Sequence, residues 1–470
     1  MLTKKTKIVA TIGPSSSSKA VFTELVKKGL DVARLNFSHG SQEEKLELFK
    51  MIRKVSDELE KPLSIMADLQ GPKIRLGEIE GKREITKGEN INLTMSPISD
   101  QELPMQFDLS PYVKKNQRIF LNDGLIELVV QQVSGKVVKT KALNSGWVSS
   151  HKGVNIPDTY IKGGAMTSKD LEDAEFALRN EADFIALSFV QTTDDLKRLK
   201  DLIKKYHSKS QIIVKIEKLE ALRHLEEIIQ ETDAVMVARG DLAIESPASE
   251  VPIIQQKIIK LSRQFHKPVI IATQMLESMI ENPRPTRAET SDVANAVLDQ
   301  VDAVMLSAES ASGKYPVETV TTMDQIIKSV EEHVDYKHYI KINWEVIPNA
   351  ELSFSAITAS AAALAFRIKA KAIVVATSTG RMARFLSSFR PESQIVAITH
   401  ESQVKDQLSL VWGINPQFVD LTQNFDTFVE KMVEQTKQEG FVKKGDKIIV
   451  LTGSTTGVSG GTDTIRVITI

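Results

Sequence analysis

The 470-residue chain contains no cysteine, which excludes disulfide bonds, thiolate catalysis and zinc–cysteine sites. It has no marked excess of either charge, since 60 basic residues stand against 61 acidic ones and the formal net charge is -1. This balance argues against a dedicated nucleic-acid-binding protein and against a polybasic membrane anchor. The chain also lacks an apolar run long enough to span a bilayer.

The first residues, MLTKKTKIVATIG, pass quickly from charge into a strand pattern. They lack the long apolar core and the small-residue cleavage site of a signal peptide. Hydrophobic residues make up 41% of the chain and charged residues 26%, which is typical of globular proteins in water. We therefore expect a cytoplasmic enzyme. The length predicts two or three domains, because it exceeds what a single core supports.

Strand and helix patterns alternate in two stretches of the chain. Strand patterns at 6–13, 30–38 and 63–70 alternate with helical patterns at 18–29 and 42–60. Five further strand patterns, separated by helical ones, follow later: DFIALSFV, QIIVKIE, AVMVARGDL, PVIIATQ and DAVMLSAE. Eight βα units in sequence predict a (β/α)₈ barrel of the TIM type.

Two other patterns define the remaining domains. Residues 71–167 read as short alternating strands with Gly, Asn and Asp at the turns, which predicts an inserted small β-barrel domain. The barrel would then comprise residues 1–70 and 168–345. An Ala-rich helix at 353–369, followed by strand patterns such as AIVVATSTG and DKIIVLTGS, predicts a C-terminal doubly wound α/β domain at 346–470.

Polar side chains recur at the carboxyl ends of the predicted barrel strands, where barrel enzymes carry out their chemistry. A fully buried strand should be a continuous apolar run, so these residues need an explanation. Any one of them alone is more simply an ordinary cap or a solvated charge. The set, in chain order, is Arg34, Asn36, Ser38, His39, Asp68, Arg75, Lys215, Glu217, Asp241, Thr273, Ser307 and Glu309.

Within this set, residue spacing suggests a site for an anion and a metal ion. Lys215 and Glu217 are two residues apart on a strand, so both side chains share one face. Glu217 and Asp241 come from neighbouring strands, and their oxygens suit Mg²⁺ or Mn²⁺. A simple salt bridge between Lys215 and Glu217 would leave Asp241 unexplained. Arg34, Arg75 and Lys215 supply positive charge suited to phosphate.

Two backbone segments are candidate anion sites. The segment ARGD (238–241) is expected to start a short helical turn whose N–H groups suit a carboxylate. The segment ATSTGRMAR (376–384) places hydroxyls and a glycine at a strand–helix junction, which suits a phosphate. The simpler interpretation of the second segment is a polar loop before an ordinary helix. Its candidate ligands are Thr377, Ser378, Thr379, Gly380 and Arg381.

The chain closely resembles the pyruvate kinase family over essentially its full length. The block ATQMLESMIENPRPTRAE (272–289) followed by DVANAV (292–297) is long and specific to that family. Further matching segments are KIVATIGPSS, RLNFSHG, DLQGPKIR, NDGLI, KGVNIP, SFV, KIE, MVARGDL, DAVMLSAES and GKYP.

The resemblance implies the last step of glycolysis: phosphoryl transfer from phosphoenolpyruvate to ADP, giving pyruvate and ATP. By motif, Glu217 and Asp241 would hold Mg²⁺ or Mn²⁺, and Lys215 would stabilise the transferring phosphoryl group and the enolate oxygen. Thr273 would lie near the enolate carbon. The implied catalytic residues are Lys215, Thr273, Arg75, Ser307 and Glu309, the last two in a proton-supplying water chain. The implied substrate contacts are Arg34, Lys215, Ala238, Arg239, Gly240, Asp241 and Thr273.

The resemblance also gives roles to the inserted and C-terminal domains. The insert would close over the barrel as a lid that excludes water. The implied nucleotide-side residues are Asn36, His39, Arg75, Asp123 and Lys152. The C-terminal domain would be regulatory, with a phosphorylated sugar or AMP as activator at residues 377–381 and the loop 452–464 covering it. A homotetramer is also implied.

One departure from the commonest family pattern concerns potassium. Relatives that need K⁺ carry a Thr-Lys pair, a Glu and a Thr where this chain has Leu69, Gln70, Lys73 and Leu76. The chain thus resembles the K⁺-independent branch, and we expect the Lys73 ammonium to replace the ion. The residues that would otherwise hold K⁺ are Asn36, Ser38, Asp68 and Leu69. The alternative is that Lys73 is a solvated surface lysine.

Two other functions are alternatives. A Mg²⁺-dependent phosphoenolpyruvate or enolate lyase or mutase should lack both the inserted β domain and the ADP-side residues. A non-catalytic regulatory homologue should have lost a residue such as Lys215, Glu217, Asp241 or Thr273, yet all four are present.

Overall fold

The computed structural model describes residues 4–99, 102–157, 159, 164–336, 352–420, 425–453 and 462–470. Three strands alternate with two helices at the start: β1 (Lys7–Thr11), α1 (Lys19–Lys27), β2 (Val32–Asn36), α2 (Gln42–Glu58) and β3 (Ser64–Asp68). Eight strands follow: β4 (Arg83–Ile85), β5 (Asn90–Thr94), β6 (Glu102–Pro104), β7 (Arg118–Leu121), β8 (Ile126–Ser134), β9 (Val137–Ala142), β10 (Gly146–Val148) and β11 (Val154–Asn155).

Strands and helices then alternate again: α3 (Ser168–Arg179), β12 (Phe184–Leu187), α4 (Lys197–Lys205), β13 (Gln211–Ile216), α5 (Leu219–Arg223), α6 (Leu225–Glu231), β14 (Ala234–Ala238), α7 (Arg239–Glu245), α8 (Val251–Gln264), β15 (Val269–Ala272), α9 (Arg287–Leu298), β16 (Ala303–Leu306), α10 (Ala308–Ala311) and α11 (Pro316–Glu331). The C-terminal elements are α12 (Leu352–Ile368), β17 (Ala372–Ala376), α13 (Arg381–Ser388), β18 (Gln394–Thr399), α14 (Ser402–Gln407), β19 (Ile414–Phe418), α15 (Phe425–Gln438), β20 (Lys447–Gly453) and β21 (Thr462–Thr469).

Eight strands close into a barrel in the order β1, β2, β3, β12, β13, β14, β15 and β16, with β16 pairing back to β1. All eight pairings are parallel. Every residue of β1, β3 and β14 is buried, as expected of strands covered by helices on one face and by a packed interior on the other. The predicted (β/α)₈ barrel is therefore confirmed.

Apolar side chains fill the barrel interior. The cluster comprises Val9, Val32, Met66, Phe184, Ala186, Ile213, Ala234, Met236, Ile270, Ala272, Ala303, Met305 and Leu410. Leu410 follows α14, so a side chain from the C-terminal part of the chain completes this core. A filled barrel is a core and not a pore, and ligands are therefore confined to its ends.

The helices around the barrel begin at capping motifs that the sequence encodes. Ser41 and Glu44 form a capping box at the start of α2, and Thr286 and Glu289 form one at the start of α9. Such reciprocal hydrogen bonds satisfy backbone donors that a helix start leaves open. In the part of the chain that the structure describes, no helix combines the length and apolarity needed to cross a membrane.

The segment between β3 and α3 is all-β where it is described and has a core of its own. Its strands form one sheet in the order β11, β7, β8, β9, β5 and β6, and a two-stranded sheet of β10 and β4. Isolated backbone bridges join Arg75 to Gly153 and Leu76 to Met105 near its connection to the barrel. Buried residues such as Ile91 form its separate apolar cluster. The exact domain boundaries stay a prediction.

The C-terminal part is a five-stranded sheet in the order β19, β18, β17, β20 and β21, in which only the β20–β21 pairing is antiparallel among the described strands. It packs on the barrel at the end where the strands begin. Buried Arg390 donates to Asp302, just before β16, with Nη2 at 2.9 Å from Oδ2. Lys7, the first residue of β1, donates from Nζ to the Ile414 carbonyl at 2.7 Å. The carboxyl ends of the barrel strands lie at the opposite end, where β3 leads into the inserted segment.

Candidate active site

The predicted polar residues gather at the carboxyl-end rim of the barrel. Arg34 lies in β2 and Asp68 ends β3. Lys215 lies in β13, with Glu217 directly after that strand. Asp241 lies in the first turn of α7, which follows β14 immediately. Because the strands are parallel, these positions lie at the same end of the barrel, where their side chains come into contact.

Lys215 is the centre of this cluster. Its Nζ lies 2.9 Å from Oε1 of Glu217, 2.7 Å from Oγ of Ser188 and 3.4 Å from Oδ1 of Asp68. Burial alone would lower the pKa of Lys215, but the carboxylates of Asp68 and Glu217 outweigh burial and raise it. The ammonium group is therefore charged at neutral pH and fixed in place by three oxygen partners.

A second cation lies beside Asp68. Arg34 donates from Nε to Oδ2 of Asp68 at 2.7 Å and from Nη1 to Oγ1 of Thr11 at 2.7 Å. Burial raises the pKa of Asp68, but the positive charges of Lys215 and Arg34 outweigh burial, and the pKa is lowered overall. Asp68 therefore stays ionised and holds two cations at the mouth of the barrel, an arrangement suited to an anionic substrate.

Glu217 and Asp241 form the candidate metal site. Glu217 is buried, and its Oε2 accepts a hydrogen bond from the Phe189 N–H at 2.9 Å. Burial raises the pKa of Glu217 and the charge of Asp241 adds to that rise, while Lys215 opposes it. A divalent cation would offset the repulsion between two neighbouring carboxylates. The residues present therefore fit Mg²⁺.

This carboxylate pair is not a complete metal cage. Among the described ranges, no group of three or more His, Cys, Asp or Glu side chains is arranged to hold a metal ion. Mg²⁺ commonly takes one or two protein carboxylates and completes its shell with waters and substrate oxygens. The pair thus suits a metal that binds together with its substrate.

Thr273 follows β15 in a strained turn. Its φ is +68°, and Gln274 after it has φ +55°. Left-handed φ at a β-branched residue is an outlier that costs on the order of 1–3 kcal/mol and is typical of functional sites. The Thr273 hydroxyl accepts a hydrogen bond from the Gly240 N–H at 2.9 Å. The predicted helical turn at ARGD is therefore present as the start of α7, and it contacts Thr273 directly.

The Arg239 side chain is paired within the protein. Its two terminal nitrogens lie 2.8 and 2.7 Å from the two carboxylate oxygens of Asp292, in α9. Nη2 also donates to the Thr273 carbonyl at 2.7 Å. The Arg239 guanidinium is thus already paired, and the Gly240 N–H already donates to the Thr273 hydroxyl. The substrate contact inferred for Ala238, Arg239 and Gly240 from the resemblance stays a prediction.

Ser307 and Glu309 lie together after β16. The Glu309 carboxylate accepts from the Ser307 N–H at 2.7 Å and from the Leu276 N–H at 3.3 Å. Burial raises the pKa of Glu309, although these hydrogen bonds oppose the rise. The carboxyl group is therefore biased towards holding a proton.

Lys73 lies between the inserted segment and the candidate metal site. Its Nζ is 3.5 Å from Oδ1 of Asp123 and 3.9 Å from Oδ1 of Asp241. Among the described ion pairs, those of Asp68 are with Arg34 and Lys215. Lys73 is thus not a freely solvated lysine, and its charge lies on the metal side of the cluster.

The other predicted K⁺ ligands also have protein partners. The side-chain oxygen of Asn36 accepts from the Ser38 N–H at 3.0 Å. Leu69 is buried, and its carbonyl accepts from the Ser188 hydroxyl at 2.9 Å.

The predicted nucleotide-side residues are spread over the barrel rim and the inserted segment. Arg75 donates from Nη1 to the His151 carbonyl at 3.0 Å. The Lys152 carbonyl accepts from the Leu76 N–H at 2.9 Å. His39 is exposed. Apart from the Lys73 contact of Asp123, the described hydrogen bonds and ion pairs do not join these side chains to the Lys215 cluster.

Sequence reasoning missed three residues in or next to the site. Ser188 and Thr11 lie at the ends of β12 and β1, so the strand-end rule that found the others would also have found them. Ser188 bonds to Lys215, and Thr11 bonds to Arg34. Asp292 gave no such signal, because it lies within a helix and its contact with Arg239 depends on the folded chain.

The predicted effector segment begins a helix on the C-terminal sheet. Gly380 has φ +74° and directly precedes α13, a conformation that favours glycine. The Arg381 guanidinium lies 4.8 Å from the ring centroid of Phe354. Most of the loop predicted to cover this segment, residues 454–461, lies outside the described residues.

Comparison with known proteins agrees with this geometry. The family model of the pyruvate kinase barrel domain matches residues 3–320, and that of the pyruvate kinase alpha/beta domain matches residues 355–468. A pyruvate kinase of Clostridium perfringens is 40% identical over 479 residues, covering 99% of each chain. Pyruvate kinase 2 of a Synechocystis species is 40% identical over 475 residues, covering 99% of this chain and 79% of the relative. The chain belongs to the pyruvate kinase family of phosphotransferases.

Proposed function

We propose that the chain carries out phosphoryl transfer from phosphoenolpyruvate to ADP at the carboxyl-end rim of its barrel. The observation that supports this site most strongly is the Lys215 ammonium. It is held between Asp68 and Glu217, with Arg34 on one side and the Glu217–Asp241 pair on the other. Positive charge fixed next to a two-carboxylate metal site is what the transfer of a phosphoryl group needs.

Phosphoryl transfer depends mainly on positioning and charge. Lys215 and Arg34 would meet the phosphoryl group and the developing enolate oxygen. Because both cations are already hydrogen-bonded in place, they need little reorganisation when the substrate binds. Glu217 and Asp241 would hold a Mg²⁺ ion, which would supply further positive charge to the transferring group. Arg75, Asp123, Lys152, Asn36 and His39 are proposed for the nucleotide side.

The enolate left after transfer needs a proton on carbon. The Thr273 hydroxyl accepts its hydrogen bond from Gly240, so its own hydrogen remains available to donate into the site. We assign Ser307 and Glu309 to the supply of that proton through water. Burial raises the pKa of Glu309, so this carboxyl group holds a proton more readily than an ordinary glutamate does.

A coupled assay with phosphoenolpyruvate, ADP and Mg²⁺ tests this proposal. Pyruvate and ATP formed in equal amounts are the expected result. Consumption of phosphoenolpyruvate without use of ADP would indicate a lyase or mutase instead. No turnover by a folded protein would indicate a regulatory homologue.

We further propose that turnover does not require K⁺. This proposal is supported by Asp68, a predicted K⁺ ligand that already contacts both Arg34 and Lys215. Lys73 adds a positive charge on the metal side. In a buffer whose monovalent cation is organic and non-coordinating, we expect the same kcat as with K⁺. A strong rise in kcat on adding K⁺ would contradict the proposal.

Charge reversal at Lys73 makes this test more specific. Lys73→Glu removes the positive charge beside Asp241 and should make turnover depend on added K⁺. Lys136→Glu changes an exposed lysine in the turn between β8 and β9 and serves as the matched control. The control should remain independent of K⁺.

We also propose that a phosphorylated sugar or AMP activates the enzyme at residues 377–381. The proposal is supported by the glycine turn at Gly380, which leads into the N-terminus of α13, a common phosphate site. Arg381→Ala should abolish activation, since it removes the cation next to that turn. Arg367→Ala, at an exposed arginine in the last turn of α12, should retain it.

Titration of sugar phosphates and AMP against initial rates measures this effect. Failure of all of them to activate the unmodified enzyme would remove the proposal. The homotetramer and the cytoplasmic location stay predictions.

A further inference from the structure

Asp292 lies outside the reacting cluster. It forms a bidentate ion pair with Arg239, a residue that borders that cluster. Its carboxylate receives two hydrogen bonds, at 2.8 and 2.7 Å, from the guanidinium of Arg239. Planar bidentate pairs of this kind fix orientation as well as charge. The Arg239 side chain is 11% exposed and that of Asp292 35% exposed, so water screens the pair only partly.

Arg239 passes this constraint on to Thr273. Its Nη2 donates to the Thr273 carbonyl at 2.7 Å and lies 2.8 Å from the Met275 sulfur. The next residue, Gly240, donates from its N–H to the Thr273 hydroxyl at 2.9 Å. The start of α7 therefore holds Thr273 at two atoms, the carbonyl and the hydroxyl.

The backbone of Thr273 is strained, and the two contacts with α7 stabilise it in that conformation. Thr273 and Gln274 have φ +68° and +55°, a region that side chains other than glycine rarely adopt. Such a conformation persists only where its surroundings impose it. A turn released from Arg239 would relax, and the Thr273 hydroxyl would move away from Gly240.

The anchor of Arg239 is itself held in place. Asp292 lies in the middle of α9, whose start is fixed by the Thr286–Glu289 capping box. Glu289 also accepts from the Ser278 N–H at 2.7 Å and from the Ser278 hydroxyl at 2.5 Å. The helix is thus tied to the chain segment that follows Thr273.

We propose that Asp292 is a positioning residue for protonation of the enolate: by anchoring Arg239, it keeps the Thr273 hydroxyl directed at the reacting carbon. The proposal rests on the proposed role of Thr273. Asp292 is not among the residues proposed to contact the substrate or the metal. Its effect should therefore fall on the proton-transfer step and leave ADP binding unchanged.

The test is Asp292→Asn, which keeps the size of the side chain but removes its charge and one of its two acceptor oxygens. Displacing a reacting group by about 1 Å can cost on the order of a hundredfold in rate, so we expect kcat to fall by about ten- to a hundredfold. The KM for ADP should not change. Proton exchange between the pyruvate methyl group and D₂O, followed by NMR with Mg²⁺ and ATP, should slow by the same factor as kcat. This exchange is the reverse of enolate protonation.

Asp292→Glu, which keeps the charge, should recover part of both rates. Glu281→Gln removes an exposed ion pair to Lys314 in the segment after Thr273 and is the matched control, with both rates unchanged. If Asp292→Asn lowers the melting temperature but leaves kcat and exchange as they were, Asp292 is merely structural and the proposal fails. A lower kcat with unchanged exchange would also overturn it.

A second variant covers the case in which Asp292→Asn does not fold. Arg239→Lys keeps the positive charge but loses the fork that reaches both Asp292 and the Thr273 carbonyl. It should slow exchange, and unaltered exchange would overturn the proposal. An unmodified enzyme that shows neither turnover nor exchange would instead count against the proposed function itself.

Discussion

Replacing Lys215 by methionine is expected to lower kcat by about a thousandfold or more and to leave the barrel folded. Loss of a single preorganised donor to transition-state charge typically costs about 10²- to 10³-fold, and a full ammonium charge should contribute at the upper end of that range or above it. Arg34 cannot replace it, because its Nε and Nη1 already bind Asp68 and Thr11. Methionine fills a similar volume, so packing at the rim changes little.

The same substitution also affects stability. It leaves Asp68 and Glu217 with one cation fewer in a buried site, and breaking a buried pair costs about 3–5 kcal/mol. Part of this cost is offset because Arg34 still pairs with Asp68 and because burial already favours a protonated Glu217. A lower but cooperative unfolding transition is therefore expected.

Lys218→Met is the matched control. Lys218 is buried to nearly the same degree as Lys215, with 12% of its side chain exposed, and its Nζ lies 2.6 Å from the Glu245 carboxylate. The Lys218→Met variant should lose a comparable amount of stability but retain the kcat of the unmodified enzyme. Both variants are measured by coupled assay and by thermal unfolding. A Lys215→Met enzyme with the turnover of the control would contradict the central role of Lys215.

The residues that were predicted best are those whose position follows from backbone periodicity. Lys215 and Glu217 share a face because strand side chains alternate, and Asp68 joins them because parallel strands end at one pole. Neither argument needs the direction of a long side chain. The closed eight-stranded barrel could also be predicted, because eight consecutive βα units leave the chain few other arrangements.

Side-chain direction is what the sequence could not supply. The family pattern gives Lys73 the charge that a bound potassium ion would supply, but only the folded chain shows that its ammonium lies 3.5 Å from Asp123 and 3.9 Å from Asp241. The guanidinium of Arg239 likewise turns to Asp292, a partner 53 residues further along the chain. The orientation of such long side chains depends on partners that are distant in sequence and become close only in the folded chain.

Replacing Glu217 by glutamine is expected to have the second large effect, a kcat lowered by about a hundredfold or more together with a higher Mg²⁺ requirement. The change removes one of the two carboxylates proposed to hold the metal. The fold should tolerate it, because burial already raises the pKa of Glu217 and so disfavours its charge. The glutamine oxygen can still accept the Phe189 N–H, which Glu217 binds at 2.9 Å.

Glu245→Gln is the control for this substitution. Glu245 is also a buried carboxyl group whose pKa is raised by burial and by Asp241, and it pairs with a lysine as Glu217 does. The measurement is a titration of initial rates with Mg²⁺ for each variant. Only Glu217→Gln should need more Mg²⁺ for half-maximal rate, because only Glu217 shares the metal with Asp241. Equal shifts in both variants would show that general loss of negative charge near Asp241, and not a ligand at position 217, sets the metal requirement.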